Sequence, residues 1–218
     1  MSDNKFLSEN KTKKYKKINL YITGYGPFMK IKLNPSQLLV DSITKIVPMI
    51  DDLFNKKICI SQIEIMEVSV EYVGKKLKEI HEIMYKNKEE NEMNMIINFG
   101  VYDALQEAKL HLESIAHNWI NDHNSINNNI VNEDIKDLNT KLDLESLIKK
   151  LSSSCKISYD AGYYLCNFAF FTNLYAFKDK GDFYSEFIHI PNIDVMPTEV
   201  ALNKFIEFLM CLVEEYTE

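Results

Sequence analysis

The sequence lacks any apolar run of the roughly 18 to 20 residues that a membrane-spanning helix requires. Its first residues, MSDNKFLSENKTKK, also lack the apolar segment of a secretory signal. A basic surplus is missing as well: the net charge is −7, whereas phosphate contacts require a basic surface. We therefore expect a cytoplasmic protein that binds neither membranes nor nucleic acid.

Cysteine is scarce and scattered, and no two cysteines form a CxxC pair, which argues against a zinc site. In a reducing cytosol all four should be free thiols, each either a small buried apolar side chain or a reactive group. They are Cys59, Cys155, Cys166 and Cys211. GxSxG is absent too, which excludes the nucleophile elbow of the α/β-hydrolases.

What the sequence does contain is a hydrophobic content of 46% and a regular alternation of strand and helix patterns. This alternation predicts a single-domain α/β/α sandwich, with a mostly parallel twisted sheet and helices on both faces. We assign residues 18–218 to that domain and residues 1–17 to a flexible basic tail. An Asn-rich stretch at about residues 121–140 is predicted to be a long surface loop.

Local patterns place the individual elements. An apolar strand, residues 18–23, is followed by a helix with Asn34 as N-cap and Pro35 at its first position. The segment AKLHLESIAHN is predicted to be extended or an edge strand. A long apolar helix is predicted to begin after Gly162 and to hold Cys166 about one turn inside it.

Active sites of such sheets lie beyond the carboxyl ends of the strands, which draws attention to polar residues that follow apolar runs. Cys166 near a helix N-terminus is either a nucleophile or inert packing. His189, at the end of EFIHI, is either a core residue or a general base for a thiol. Glu113 is either a surface carboxylate or the group that orients a histidine.

Aromatic residues follow the first predicted strand in the segment GYGPF. Tyr25 and Phe28 could form an aromatic wall for a small ring, or they could pack beneath the loop. The Gly24-Tyr25-Gly26 stretch is not a phosphate loop, because it lacks the third glycine and the GK[ST] ending.

These segments together resemble the pyroglutamyl peptidase I (pyrrolidone carboxyl peptidase) family of cysteine peptidases. ISYDAGYYLCNFAFFTNLY is similar to the family's cysteine motif, S-x-D-A-G-x-Y-L-C-[ND], and FIHIP is similar to its F-[IV]-H-[VI]-P. TGYGPF and the following NPS resemble its N-terminal elements. The resemblance extends from about Ile18 to the last predicted helix.

The resemblance implies a thiol protease that hydrolyses the N-terminal pyroglutamyl (5-oxoprolyl) residue from peptides through an acyl-enzyme. Its expected catalytic residues are the nucleophile Cys166, the general base and acid His189, and Glu113, which orients the histidine.

The same resemblance implies substrate-binding roles for Tyr25, Phe28 and Asn34, with the two aromatic rings enclosing the pyrrolidone. It implies no metal and no organic cofactor. The expected partners are peptides with N-terminal pyroglutamate. Because the family includes monomers and tetramers, assembly into a homo-oligomer stays open.

Three departures from the family pattern motivate an alternative. Glu113 stands in HLES rather than [ST]-x-E-[KR], and Glu107 is its nearest competitor. His123 stands where many bacterial members have arginine, and Met29 and Lys30 replace a glycine-containing pair. The alternative is a catalytically degenerate homologue that binds pyroglutamyl peptides or protein partners without turnover.

Overall fold

A computed structural model describes residues 12–28, 31–121 and 128–218. In these ranges strands and helices alternate along most of the chain. The strands are β1 (Lys17–Tyr25), β2 (Ile58–Met66), β3 (Glu92–Val101), β4 (Leu110–Glu113), β5 (Ile115–His117), β6 (Asp137–Asn139), β7 (Cys155–Ser158) and β8 (Phe183–Ile190). The helices are α1 (Pro35–Leu53), α2 (Val70–Lys86), α3 (Leu144–Leu151), α4 (Leu165–Phe177) and α5 (Thr198–Tyr216).

Six of these strands form one sheet in the order β2-β1-β3-β8-β4-β7. Every neighbouring pair is parallel except β4 and β8, which run antiparallel. The remaining strands, β5 and β6, form a separate antiparallel pair. The predicted α/β class with a mostly parallel sheet is therefore confirmed.

Helices cover both faces of the sheet, as expected for strands that are buried on both sides. One apolar cluster joins the sheet to α1, α3 and α5, through residues such as Leu39, Leu147 and Phe205. The opposite cluster joins it to α2 and α4 through residues such as Leu77 and Phe170. This arrangement confirms the predicted sandwich.

The turn from β1 into α1 follows from its local chemistry. Asn34 caps the helix by accepting a hydrogen bond from the Ser36 backbone N–H at 3.0 Å, and Pro35 occupies the first helical position. Gly24 allows the strand and the helix to approach closely, since a Cβ there would lie 2.9 Å from the Ser36 carbonyl oxygen. The predicted cap is confirmed.

Two local predictions were wrong in part. The segment AKLHLESIAHN is extended, as predicted, since it holds β4 and β5. β4 is not an edge strand, however: it lies inside the sheet, between β8 and β7, because its short apolar sequence is buried on both faces. Helix α4 begins at Leu165 rather than directly after Gly162, so Cys166 is its second residue. The backbone of Tyr164, with φ of −120° and ψ of −137°, is not helical, so the helix cannot begin before Leu165.

Two further segments differ in part from their predictions. The chain packs against the domain from Tyr15 onward, which is buried and donates its backbone N–H to the Tyr216 carbonyl at 2.8 Å. Residues 1–11 of the predicted tail lie outside the described residues. Within the predicted Asn-rich loop, residues 137–139 form β6, and residues 122–127 lie outside the described residues.

Over the described parts of the chain, no helix is both long enough and apolar enough to cross a bilayer.

Candidate active site

Cys166 is brought to the carboxyl end of the sheet by a tight turn. The Asp160 side chain accepts a hydrogen bond from the Gly162 backbone N–H at 2.9 Å, and Gly162 adopts a left-handed conformation. Helix α4 starts three residues later, and no side chain caps its N-terminus. Cys166 therefore lies in the first turn of α4, where backbone N–H groups have no partner within the helix.

Gly100, at the end of β3, makes room for the thiol. It is paired with His189 across the β3–β8 ladder. A Cβ on Gly100 would lie 3.1 Å from the Cys166 sulfur and 2.7 Å from the edge of the Phe187 ring. The missing side chain thus allows the sulfur to lie over the strand, next to His189.

The His189 ring is hydrogen bonded to the Glu113 carboxylate, with 2.7 Å between Nδ1 and Oε1, and both residues are buried. The antiparallel pairing of β4 with β8 places His111 opposite His189. Glu113 lies two residues further along, on the same face of the sheet, and so reaches the imidazole diagonally.

The competing carboxylate, that of Glu107, contacts Lys156 and His111. Glu107 is half-buried and forms an ion pair with Lys156 at 2.8 Å, and one of its oxygens lies 3.4 Å from His111 Nε2. These contacts lower the pKa of Glu107, chiefly through the hydrogen bond from Lys156. Glu113 is thus the carboxylate that contacts His189.

His189 is held in its charged form by its neighbours. Burial by itself disfavours an imidazolium, but the negative charge of Cys166, its hydrogen bond to the ring and the bond to Glu113 outweigh burial. Together they raise the pKa of His189 to about 10. The charged imidazole thus lies between the Cys166 sulfur and the Glu113 carboxyl group.

A second carboxyl group, Glu186, is fully buried on β8, three residues before His189. Burial, together with the nearby Glu113 charge, raises the pKa of Glu186 well above its ordinary value. The folded protein therefore holds the proton on Glu186 to a higher pH than the unfolded chain, which loses it at about pH 4.3. The free energy of unfolding should consequently fall as the pH rises above that value.

Replacing Glu186 by glutamine is expected to remove this pH dependence. Between pH 5 and pH 8, the wild-type free energy of unfolding should fall by about 1 kcal/mol or more relative to that of the variant. Urea unfolding at both pH values measures the difference, and the exposed Glu199→Gln serves as the control. If the free energy of unfolding changes equally with pH in wild type and Glu186→Gln, the pKa of Glu186 is not raised by burial.

A cavity of about 230 Å³ opens beside the thiol, between the loop after β1 and the start of α4. We call it the first-loop cavity. Apart from the thiol, its described lining carries no ionisable group more acidic or basic than tyrosine. Its lining residues are Tyr25, Phe28, Ile31, Asn34, Val68, Gly100, Val101, Tyr164, Leu165 and Cys166.

Aromatic rings form much of this lining. Tyr25 is buried next to Cys166, and burial raises the pKa of its hydroxyl, with the charge of Cys166 adding to the shift. Phe28 stacks on Tyr164, with 6.3 Å between ring centroids. Both predicted aromatic residues therefore line one cavity, together with a tyrosine that the sequence reading had not selected.

Asn34 also lines the cavity, but its polar atoms are occupied. Its Nδ2 donates to the Gly26 carbonyl at 2.9 Å, and its Oδ1 accepts from both the backbone N–H and the hydroxyl of Ser36. The Ser36 hydroxyl in turn accepts from the Tyr25 backbone N–H at 3.0 Å. These bonds hold the loop that carries the aromatic rings, which explains the NPS element physically.

Asn167, directly after the thiol, is a further residue that sequence reasoning missed. Its fully buried amide accepts from the His117 backbone N–H and donates to the carbonyls of His117 and Trp119, all within 2.8 Å. It thereby ties α4 to the end of β5. An asparagine one residue after a candidate nucleophile, at the [ND] position of the cysteine motif, was the available signal.

Some of the predicted positions cannot be placed: Met29, Lys30 and His123 lie outside the described residues. Among the residues that the structure does describe, no cluster of His, Cys, Asp and Glu could hold a metal ion.

A thiol, an imidazole and a carboxylate, placed in this order beyond the ends of parallel strands, are the arrangement of a cysteine hydrolase on an α/β fold. The chain belongs to the pyroglutamyl peptidase family, whose model matches residues 18–211. It is 24% identical to pyroglutamyl-peptidase 1 of Homo sapiens over 213 residues, which cover 89% of this chain and 90% of the human protein.

Solved structures share its fold. One is a mutant pyrrolidone carboxyl peptidase from Pyrococcus furiosus, with a TM-score of 0.71 and 21% identity over 90% of this chain and 99% of that one. Another is pyroglutamyl peptidase I of Bacillus amyloliquefaciens, with a TM-score of 0.70 and 18% identity over 93% of this chain and 100% of the other.

Proposed function

We propose that this protein is a cysteine peptidase that hydrolyses the N-terminal pyroglutamyl residue from peptides. The observation that carries the proposal is the contact of Cys166, His189 and Glu113, with Cys166 also in the lining of the aromatic first-loop cavity. Membership in the pyroglutamyl peptidase family supports it.

In the proposed reaction, the Cys166 sulfur attacks the carbonyl carbon of the amide bond that joins the pyroglutamyl residue to the next residue, not the carbonyl of the lactam ring. The C–N bond then breaks, His189 gives its proton to the leaving amine, and a thioester remains on Cys166. His189, now neutral, removes a proton from water, whose oxygen attacks the thioester. Pyroglutamate leaves, and the thiolate and imidazolium are restored. Glu113 keeps the ring oriented and favours its charged form.

The negative oxygen of the tetrahedral intermediate needs hydrogen-bond donors. The chain contains no arginine at all, so a guanidinium cannot supply them. The free backbone N–H groups in the first turn of α4 lie next to the thiol and are the donors we assign to this role.

Specificity would follow from the uncharged lining of the first-loop cavity. A pyroglutamyl ring is a neutral lactam and enters such a cavity without losing the hydration of a charge. An ordinary N-terminus is a charged ammonium, and its transfer to an apolar site without a partner is strongly unfavourable. Tyr25 and Phe28 would contact the ring, and Asn34 would hold the loop that presents them.

The test compares two fluorogenic amides that differ little in shape. Pyroglutamyl amide should be hydrolysed at least about a hundredfold faster than prolyl amide, which has the same five-membered ring but a charged secondary amine. Comparable rates, or faster cleavage of the prolyl amide, would refute the proposed specificity. Binding of a pyroglutamyl peptide without turnover, under reducing conditions at neutral pH, would establish the non-hydrolytic alternative instead.

A further inference from the structure

A second cavity, of about 220 Å³, adjoins the first on another side of the thiol. The two share a wall formed by Val101, Tyr164, Leu165 and Cys166. We call the second the tyrosine cavity. The residues that line it alone are Tyr102, Asp160, Ala161, Gly162, Tyr163 and His189.

The position of His189 distinguishes the two cavities. His189 lines the tyrosine cavity and does not line the first-loop cavity. In the proposed reaction the imidazolium gives its proton to the leaving nitrogen, so that nitrogen must lie on the side of Cys166 where His189 is. The acyl group then lies on the other side, in the first-loop cavity.

We infer that the tyrosine cavity binds the residue that follows the pyroglutamyl group, and that it favours an aromatic side chain at this position. This inference rests on the proposed function and extends it to the leaving half of the substrate. The ligand class is therefore a peptide with pyroglutamate first and an aromatic residue second.

The rings around the tyrosine cavity explain the preference. Tyr102, Tyr163 and Tyr164 are each 40% to 52% exposed, so about half of each side chain is open to a ligand. Tyr163 stacks on His117 with 5.5 Å between centroids, and the Tyr102 ring lies 5.6 Å from the His189 ring. These contacts orient the rings in advance, so an aromatic side chain of the substrate can pack against them with little loss of conformational entropy.

The negative charge of the cavity lining disfavours an acidic substrate residue and is compatible with a neutral aromatic one. The Asp160 carboxylate lines the cavity and accepts the hydrogen bond from Gly162 that shapes the turn. An acidic residue in the substrate would add a second negative charge there, whereas a neutral aromatic ring adds none.

The experiment compares pyroglutamyl-phenylalanine amide with pyroglutamyl-alanine amide by the amine that each releases. The wild type should show a kcat/KM about tenfold higher for the phenylalanine peptide. Tyr163→Ala should bring this ratio close to one, because the stacking surface is lost, and Tyr163→Phe should retain it. Tyr159→Ala is the matched control, since Tyr159 is 64% exposed, Tyr163 is 52% exposed, and Tyr159 lines neither cavity.

The outcomes separate this inference from the proposed function. A wild-type kcat/KM ratio near one, or a ratio that Tyr163→Ala leaves unchanged, overturns the inference about the tyrosine cavity. Cleavage of both peptides upholds the peptidase activity in either case. Cleavage of neither peptide by the wild type overturns both. The wild-type ratio is decisive by itself if Tyr163→Ala does not fold, which circular dichroism would reveal.

Discussion

Replacing Cys166 by serine is expected to lower kcat/KM for a pyroglutamyl amide by about ten thousandfold or more. Serine matches cysteine closely in shape, so the fold and the cavities should persist. Its hydroxyl is far less acidic than a thiol, however, and cannot form the ion pair that the buried His189 favours. Steady-state hydrolysis of the fluorogenic amide measures the loss.

The control for this variant is Cys59→Ser. Cys59 is half-buried, as Cys166 is, but it lies on β2 at the far edge of the sheet. Its replacement should leave the rate within about twofold. Turnover that survives Cys166→Ser would refute the thiol mechanism. Limiting iodoacetamide should also label Cys166 first, and preferential labelling of Cys59 or Cys211 would count against a reactive Cys166.

Replacing Glu113 by glutamine is expected to lower kcat/KM by about a thousandfold. The carboxylate accepts the Nδ1 proton of His189 at 2.7 Å and stabilises its positive charge, whereas a neutral amide does this poorly and can present its N–H₂ to the ring instead. Because Glu113 raises the pKa of His189, its loss should lower that pKa. The alkaline limb of the pH–rate profile should therefore move to lower pH.

The matched variant is Glu107→Gln, which makes the same chemical change six residues earlier. Glu107 is bonded to Lys156 rather than to His189, so its replacement should leave both the rate and the pH profile nearly unchanged. If Glu107→Gln abolishes activity while Glu113→Gln retains it, our assignment of the orienting carboxylate is wrong. A rate loss in Glu113→Gln without any shift of the pH profile would indicate a purely structural role.

Most of the architecture could be predicted from the sequence because its signals are local. Periodicity along the chain identified β1, and Asn34 with Pro35 marked the start of α1. Alternation of strands and helices then implied a parallel sheet with active-site residues beyond the carboxyl ends of its strands. The prediction failed where a local pattern was short, as at β4, or where a turn determined the start of α4.

The candidate site depended on contacts between residues that are remote in sequence. Glu113 and His189 are 76 residues apart, and only the antiparallel pairing of β4 with β8 brings them together. The local sequence favoured Glu113 but left Glu107 as a competitor, because neither segment shows which carboxylate reaches the histidine.

The sequence by itself determined the strand and helix pattern, the fold class and the motifs around Cys166 and His189, because periodicity, capping and turn chemistry act over a few residues. Only the tertiary structure decided which carboxylate contacts the histidine, why Gly100 lacks a side chain, and that two cavities meet at the thiol. Strand order and register control those distances, and both depend on how the whole core packs.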